Sequence, residues 1–403
     1  MATDSALRVE FAAFISPISV DVFMVEYFDK RPVHIPAAAA TRVPLDWERF
    51  NELLAIRSHW IEPNINLIMN RRAVDRDFYM IDIATLAGAA RRADAAKVEA
   101  FLAMGASMVG NAIEEIDAKT CAVVDMLSER FAGRAGANLY CSFKDVQAFD
   151  SHYDNHEVFA VHCEGEKVWR IYRNRADAPL DPVLGDEVAQ ARIDAAKGGV
   201  LMEVRMRPGD LLYIPRGYFH DALASSAESL HLTFAVAPHS GRILFRLLEE
   251  CALRDSAFRQ YLTDAREGDG AALRSAIDAL ADKIGAILRS PAFFSDVATA
   301  QRKLGQGSHN ASLPNRPAIE AWARTERPAA VAHRPHGAVL VAEAGEEHAL
   351  GGLFEEAEWL LSRPAFVTVE IFARYPHRRE EELRALIDLM SRAKLFASYQ
   401  ARI

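Results

Sequence analysis

Cysteine is scarce in this chain of 403 residues: there are four, Cys121, Cys141, Cys163 and Cys251. No two of them form a Cys-x-x-Cys pair, so neither a zinc knuckle nor a disulfide framework is indicated, and buried free thiols are expected. Long apolar runs are also missing. No window approaches the ~18 uninterrupted apolar residues of a membrane span. The opening MATDSALRVEFAAF has no basic stretch followed by an apolar one, so a cytoplasmic protein without a leader is expected. Positive charge is in deficit, with 47 Lys and Arg against 56 Asp and Glu and a formal net charge of -9. That balance gives no basic footprint for neutralising phosphates, and nucleic acid is not an expected partner. Internal repeats and low-complexity tracts are absent. What is present is enough apolar side chain, 50% of residues, to bury ordinary cores. The length exceeds what one core usually organises, so two or three domains are expected.

Near the N-terminus Ser19 is placed to cap a helix over 19–30 that carries Val22, Phe23, Val25 and Phe28, with Pro32 just beyond it. Residues 45–130 mix periodicities and support no assignment. From 138 to 237 the texture is short β-rich runs: NLYCS (138–142), EVFAVHC (157–163), VWRIY (168–172), VLMEVRM (200–206), LLYI (211–214) and HLTFAV (231–236). With Glu164-Gly165-Glu166 and Pro208-Gly209-Asp210 read as turns, this spacing suggests a barrel or jelly roll. Past 241 the pattern is helical, and Leu273, Ile277, Leu280, Ile284, Ile287 and Leu288 make a stripe at three- and four-residue spacing. Residues 305–337, rich in Gly, Pro, Ser and Asn, read as a linker or long loop. A small module follows over 338–403, with apolar runs at 338–342 and 366–372 and a helix near 379–396 bearing Leu383, Leu386, Ile387 and Met390.

The segment SHYDNHEVF sets His152 and Asp154 two residues apart, so on an extended strand end both project from one face and can chelate one ion. A third ligand is available in YIPRGYFHDA, where a β-rich run enters a Pro-Arg-Gly turn and His220 follows. Two imidazoles and a carboxylate on one face of an ion leave positions open opposite, the arrangement of non-haem Fe(II) oxygenases. His-x-Asp alone is a weak signal among thirteen histidines. His156 and Glu157 are rival ligands, and a satisfied structural role is the default for His162, His231 and His239. Trp169 and Trp359 read as core aromatics, and Arg216 as a turn residue within reach of a substrate.

ANLYCS, HYDNHEVFAVHCEGEKVWRIY and GDLLYIPRGYFHDA with HLTFAV behind it together resemble the JmjC-type, cupin-4 class of 2-oxoglutarate oxygenases, especially the ribosomal protein hydroxylases. The resemblance covers roughly residues 136–237. A weaker likeness lies at ISPISVDVFMVEYFDKRPVHIP. It implies an α+β fold: a double-stranded β-helix (cupin, jelly-roll) core with N-terminal helices over 1–240, a helical dimerisation segment over 241–304, and a winged-helix-like module over 338–403. It carries over His152, Asp154 and His220 as Fe(II) ligands and Lys167 as the cation for the distal carboxylate of 2-oxoglutarate. An ammonium suits that task as a point charge. Tyr140 and Thr233 match hydroxyls near the same carboxylate, and Asn138 is placed to hydrogen-bond in the pocket. At His162 and Cys163 the chain departs from the ribosomal hydroxylases, which usually carry glutamine and an apolar residue there.

The resemblance implies hydroxylation of an amino-acid side chain in a protein or peptide, using O2 and converting 2-oxoglutarate to succinate and CO2, by a homodimer. The competing reading is a non-catalytic metal-binding cupin acting as a binding or regulatory module. Lys167 separates the two, since such a module has no use for a co-substrate cation. A DNA-binding regulator is a third reading. It is disfavoured because Glu380, Glu381, Glu382 and Asp388 interrupt Arg378, Arg379, Arg384, Arg392 and Lys394.

Overall fold

The computed structural model describes residues 9–38, 44–85, 88–143, 149–181, 187–302 and 320–399. The chain divides into two compact units, residues 1–308 and 309–403. No helix among the described residues is long and apolar enough to cross a membrane.

The first unit carries β1 (Val33–Ile35), β2 (Ile65–Met69), β3 (Arg72–Ala73), β4 (Met80–Thr85), β5 (Gly88–Ala93), β6 (Ser107–Gly110), β7 (Gly133–Phe143), β8 (Glu157–Arg175), β9 (Val200–Met206), β10 (Leu211–Ile214) and β11 (Tyr218–Pro238). Nine of these form one sheet in the order β1-β10-β8-β11-β7-β6-β2-β3, with β9 on the free flank of β8, while β4 and β5 pair separately. All the pairings are antiparallel.

Of the two expected turns, Pro208-Gly209-Asp210 forms, with Asp210 N–H donating to the Arg207 carbonyl at 2.9 Å, and Glu164-Gly165-Glu166 does not. β8 runs unbroken through Glu164-Gly165-Glu166, pairing with β10 through its first half and with β9 through its second. Gly165 takes φ 70, which lets the strand bend without turning back. Residues 208–210 interrupt β9 and β10 on the same edge of β8, where Gly209 N–H donates to the His162 carbonyl at 2.9 Å. Two long bent strands therefore replace the separate short ones expected from the sequence. The register between β8 and β11 slips between Ala224 and Ser229, beside that bend.

Alternation along β8 separates two environments. Phe159, Val161 and Cys163 join Leu139, Leu232 and Phe234 in a core with Phe11, Phe14, Phe23, Leu127 and Phe131. The helices at Phe11–Phe14 and Ala118–Phe131 thus cover one face of the sheet. Phe159 contacts Phe11 at 6.3 Å and Phe131 at 5.9 Å between centroids. The other set, Val158, Ala160, Trp169, Ile171, Val204, Met206, Leu212 and Ile214, forms its own buried cluster inside the bent sheet. A strand buried on both faces reads as a nearly continuous apolar run, which is the texture of EVFAVHC.

Ser19 caps the entry helix as expected, its Oγ accepting from Val22 N–H at 3.3 Å. The helix is shorter than 19–30, because Val20–Val22 passes into a π-helical turn ending at Tyr27. Helices follow at Arg242–Ala252, Ala271–Leu288 and Pro291–Arg302.

In the second unit two three-stranded sheets accompany helices at Phe354–Leu361, Thr368–Arg374 and Glu380–Arg392. Leu383, Leu386, Ile387 and Met390 are all buried there with Trp359, Phe366 and Leu340. The stretch expected as a loop over 305–337 lies outside the described residues up to 319. Beyond that it is corrected: Ala321–Arg324 and Ala330–Arg334 are strands. Trp322 and Val331 pack on that unit's core, which holds these short segments extended despite Pro328 between them.

Candidate metal centre

His152 and His220 come from different parts of the chain and are joined by a two-residue bridge. His152 N–H donates to the His220 carbonyl at 3.0 Å, and His220 N–H returns to the His152 carbonyl at 2.8 Å. Gly217 N–H then donates to the Asp154 carbonyl at 2.8 Å, and the Gly217 carbonyl accepts from Ala176 N–H at 2.9 Å. Gly217 has φ +85, and a Cβ there would stand 2.5 Å from the Ala176 carbonyl oxygen. The Pro-Arg-Gly turn therefore needs glycine at this point to bring the two segments together. Gly217→Ala is expected to cost about 1–3 kcal/mol, the usual cost of a strained φ/ψ. Denaturant unfolding measures that loss, and the bound-metal content of the purified variant should fall with it.

The ligand atoms of His152, Asp154 and His220 lie within 4.8 Å of one another. His220 Nε2 stands 3.5 Å from Asp154 Oδ2, and the two imidazole rings are 4.5 Å apart between centroids. Each imidazole has its Nδ1 occupied by a backbone carbonyl: His152 with Asp150 O and His220 with Tyr218 O, both at 2.9 Å. With Nδ1–H donating, Nε2 carries the lone pair, which is the tautomer a metal needs. Burial, then the neighbouring His152, push His220 down to about 4, so it is neutral at physiological pH. Burial works to raise Asp154, but His220 foremost, then His152 and His156, outweigh it and hold the carboxyl below its ordinary value. A neutral His220 and an ionised Asp154 are protonation states that bind a divalent cation.

The rivals are occupied elsewhere. The Glu157 carboxylate accepts from the Tyr213 hydroxyl and from Arg216 N–H. His156 and Arg216 line a separate cavity of about 340 Å³ with Asp29, His239 and Arg242. Asp221, directly after His220, supports the loop opposite, since its carboxylate accepts from Ser151 Oγ at 2.7 Å and from the Tyr172 hydroxyl at 2.6 Å.

Deeper on the same face is Lys167, 3% exposed, with no ion pair among the described residues. Burial pushes its ammonium down to about 8. Lys167 reaches the pocket by continuing along β8 past the bend, and not by returning after a turn. Tyr140 is held up at about 12, chiefly by burial, and the Asn138 side chain hydrogen-bonds its hydroxyl. Thr233 is buried, opposite Asn138 in the β7–β11 register.

Three further residues share this face. Trp169, read above as a core aromatic, stands 5.9 Å from His220 and 5.5 Å from His231 between ring centroids, its indole N–H unpartnered. His231 stacks on Tyr140 at 4.8 Å and on His162 at 6.2 Å. Neither His162 nor His231 is a fully satisfied core histidine: both nitrogens of His162 and Nδ1 of His231 lack hydrogen-bond partners among the described residues. Two-residue alternation with Thr233 was the sequence signal that could have placed His231 here. Cys163 faces the opposite core, so of the two departures only His162 borders the pocket.

Residues 111–244 match the family model of the JmjC domain. A protein named ribosomal oxygenase 1 from Danio rerio is 36% identical over 148 residues, covering 35% of this chain and 26% of the relative. Bifunctional lysine-specific demethylase and histidyl-hydroxylase NO66 from Aedes aegypti is 31% identical over 239 residues, 57% of this chain and 35% of the relative. The chain thus spans about a third or less of the length of these curated relatives. Among solved structures, YcfD, a ribosomal oxygenase from Escherichia coli crystallised with cobalt and 2-oxoglutarate, superposes with a TM-score of 0.51. That match has 15% identity over 95% of this chain and 99% of the other, a likeness of fold.

Proposed function

We propose that this chain is an Fe(II)- and 2-oxoglutarate-dependent oxygenase that hydroxylates an amino-acid side chain of a protein or peptide. The observation that carries this is one face holding both a three-ligand cluster with its imidazoles fixed as Nε2 ligands and a buried lysine with no anion of its own among the described residues. His152, Asp154 and His220 would hold iron, a donor set that leaves positions for 2-oxoglutarate and O2. When bound, iron supplies oxidation of an unactivated C–H bond, coupled to conversion of 2-oxoglutarate into succinate and CO2.

The rest is positioning by the chain. The carbonyls of Asp150 and Tyr218 fix the two imidazoles, and Asp221 with Ser151 steadies the loop that carries His152. Lys167 takes the distal carboxylate of 2-oxoglutarate, with the Tyr140 and Thr233 hydroxyls beside it and Asn138 orienting the phenol. Val158, Ala160, Ile171, Val204 and Leu212 keep the pocket walls apolar, which strengthens that charge pairing. A buried cation without a partner is costly for a binding module to keep, which favours the oxygenase over a non-catalytic cupin.

Relatives named ribosomal oxygenase and histidyl-hydroxylase point to a protein side chain as substrate. A chain of net charge -9 suits a basic one. The test is a proteome comparison by mass spectrometry with and without the gene. Peptides gaining one oxygen only when the gene is present support the reading, and a proteome without them, together with purified iron-loaded protein that forms no succinate, overturns it.

The active form is a homodimer built through the helical segment 241–304, with the module over 338–403 a winged-helix-like, protein-facing domain. Among the described residues the stripe on Ala271–Leu288 is only partly covered: no residue of that helix is buried, Leu273, Leu280, Ile284 and Ile287 are half-buried, and Ile277 is 51% exposed. Phe245, Leu253 and Phe294 on the adjoining helical segment are exposed too. So much apolar surface fits an isologous contact with a second copy. Leu280→Asp with Ile284→Asp should convert the particle from two chains to one in light scattering, with circular dichroism unchanged. A single-chain mass for the unaltered protein at micromolar concentration would refute the dimer.

A further inference from the structure

His162, His231 and Tyr140 sit directly opposite one another on β8, β11 and β7, a cross-strand row of two imidazoles and a phenol. His162 is fully buried, and His231 is 2% exposed. The rings lie nearly parallel, with interplanar angles of 10° and 7°. Stacking accounts for their faces but not for their edges: the Glu164 and Gly165 backbone lies beside the His162 ring, yet among the described residues neither nitrogen reaches a partner within hydrogen-bond geometry. Buried polar groups are nearly always hydrogen-bonded, so an imidazole left bare on both nitrogens marks a place where something else binds. The nearby charge is Lys167, whose field, after burial, holds both histidines uncharged. A neutral imidazole always keeps one N–H to donate. The row therefore presents donors beside a buried cation, and the group complementary to both is a carboxylate.

We propose that His162 is a co-substrate-binding residue, donating a hydrogen bond to the same distal carboxylate that Lys167 holds, so that this chain reads 2-oxoglutarate with an imidazole that His231 keeps in plane by stacking. The inference rests on the oxygenase reading of the pocket. It assigns function to the one departure from the resembling family that faces the site. His162 thus acts as a specificity-determining residue for the length and charge of the 2-oxo acid.

The test is calorimetric titration of the full-length, iron-loaded protein without oxygen, using 2-oxoglutarate and 2-oxovalerate, which has a methyl group where the former has its distal carboxylate. No turnover is involved. For His162→Leu the expected result is at least a tenfold weaker affinity for 2-oxoglutarate, with 2-oxovalerate changed less than twofold. His162→Gln, which restores an N–H donor, should recover most of the loss. Equal weakening for both acids would assign His162 a structural role and overturn the proposal, as would unchanged 2-oxoglutarate affinity. If the unaltered protein does not prefer 2-oxoglutarate to 2-oxovalerate at all, the reading of the pocket fails first, and the role of His162 with it.

Discussion

Asp154→Ala should abolish succinate formation and lower iron affinity by more than about a hundredfold, beyond what loss of an outer-shell partner produces. The reason lies in the charge balance of the site. His220 is buried and already disfavours positive charge, so the only anion offsetting a divalent cation in the cluster is the Asp154 carboxylate. Removing it leaves two imidazoles, a set with lower affinity and no facial geometry. His152→Ala and His220→Ala should abolish activity as well. His156→Ala and Glu157→Gln serve as controls: their side chains engage other partners, so metal content measured by elemental analysis should stay near one equivalent per chain. Full activity in Asp154→Ala, or iron lost from the His156 variant, would show that the ligands are misassigned.

Lys167→Ala should raise the 2-oxoglutarate requirement about 10- to 100-fold while leaving the metal in place, since a charge-assisted hydrogen bond contributes roughly 1.5–3 kcal/mol. Lys167→Arg should retain part of the affinity. The pH dependence gives a second handle. Burial lowers Lys167 to about 8, and the ammonium is the form that binds a carboxylate. The co-substrate carboxylates are ionised throughout this range, so affinity should be full below pH 8 and fall as pH rises through it. Binding above pH 8 should take up a proton, because the arriving anion favours the charged lysine. In Lys167→Arg the guanidinium does not titrate there, and the fall should vanish. An affinity independent of both residue and pH would return Lys167 to the role of a structural lysine and send the search to Arg170 or Arg216.

Much of the site was legible because metal chemistry restricts residue types more than fold does. His152 and Asp154 are two residues apart, and His220 follows a Pro-Arg-Gly turn whose glycine has a steric reason to be there. The β-rich runs were legible for the same local reason, alternation and β-branching, and Val200–Met206 and Leu211–Ile214 appear with the bounds expected. Glu164-Gly165-Glu166 was misread because glycine between charged residues signals a reversal and a bend equally. Which one forms depends on whether β9 and β10 supply partners on both sides of it. Trp169 is the core aromatic expected, buried with Ile171 and Val204, but its closeness to His220 was not legible, because an aromatic on a buried strand reads the same whether or not a site adjoins it.

The sequence by itself determined the donor types, their spacing and the β texture around them, since these are properties of single residues and their near neighbours. It also determined the helix at Glu380–Arg392, whose four apolar positions at helical spacing are all buried. Only the tertiary structure decided which face of β8 became the pocket, because a strand buried on both sides carries no polar face to read. That choice set His162 toward Lys167 and Cys163 toward the helices. It also left the stripe on Ala271–Leu288 only half-buried among the described residues, which periodicity cannot foretell: a stripe states that a helix needs a partner, and only packing shows how far it is covered.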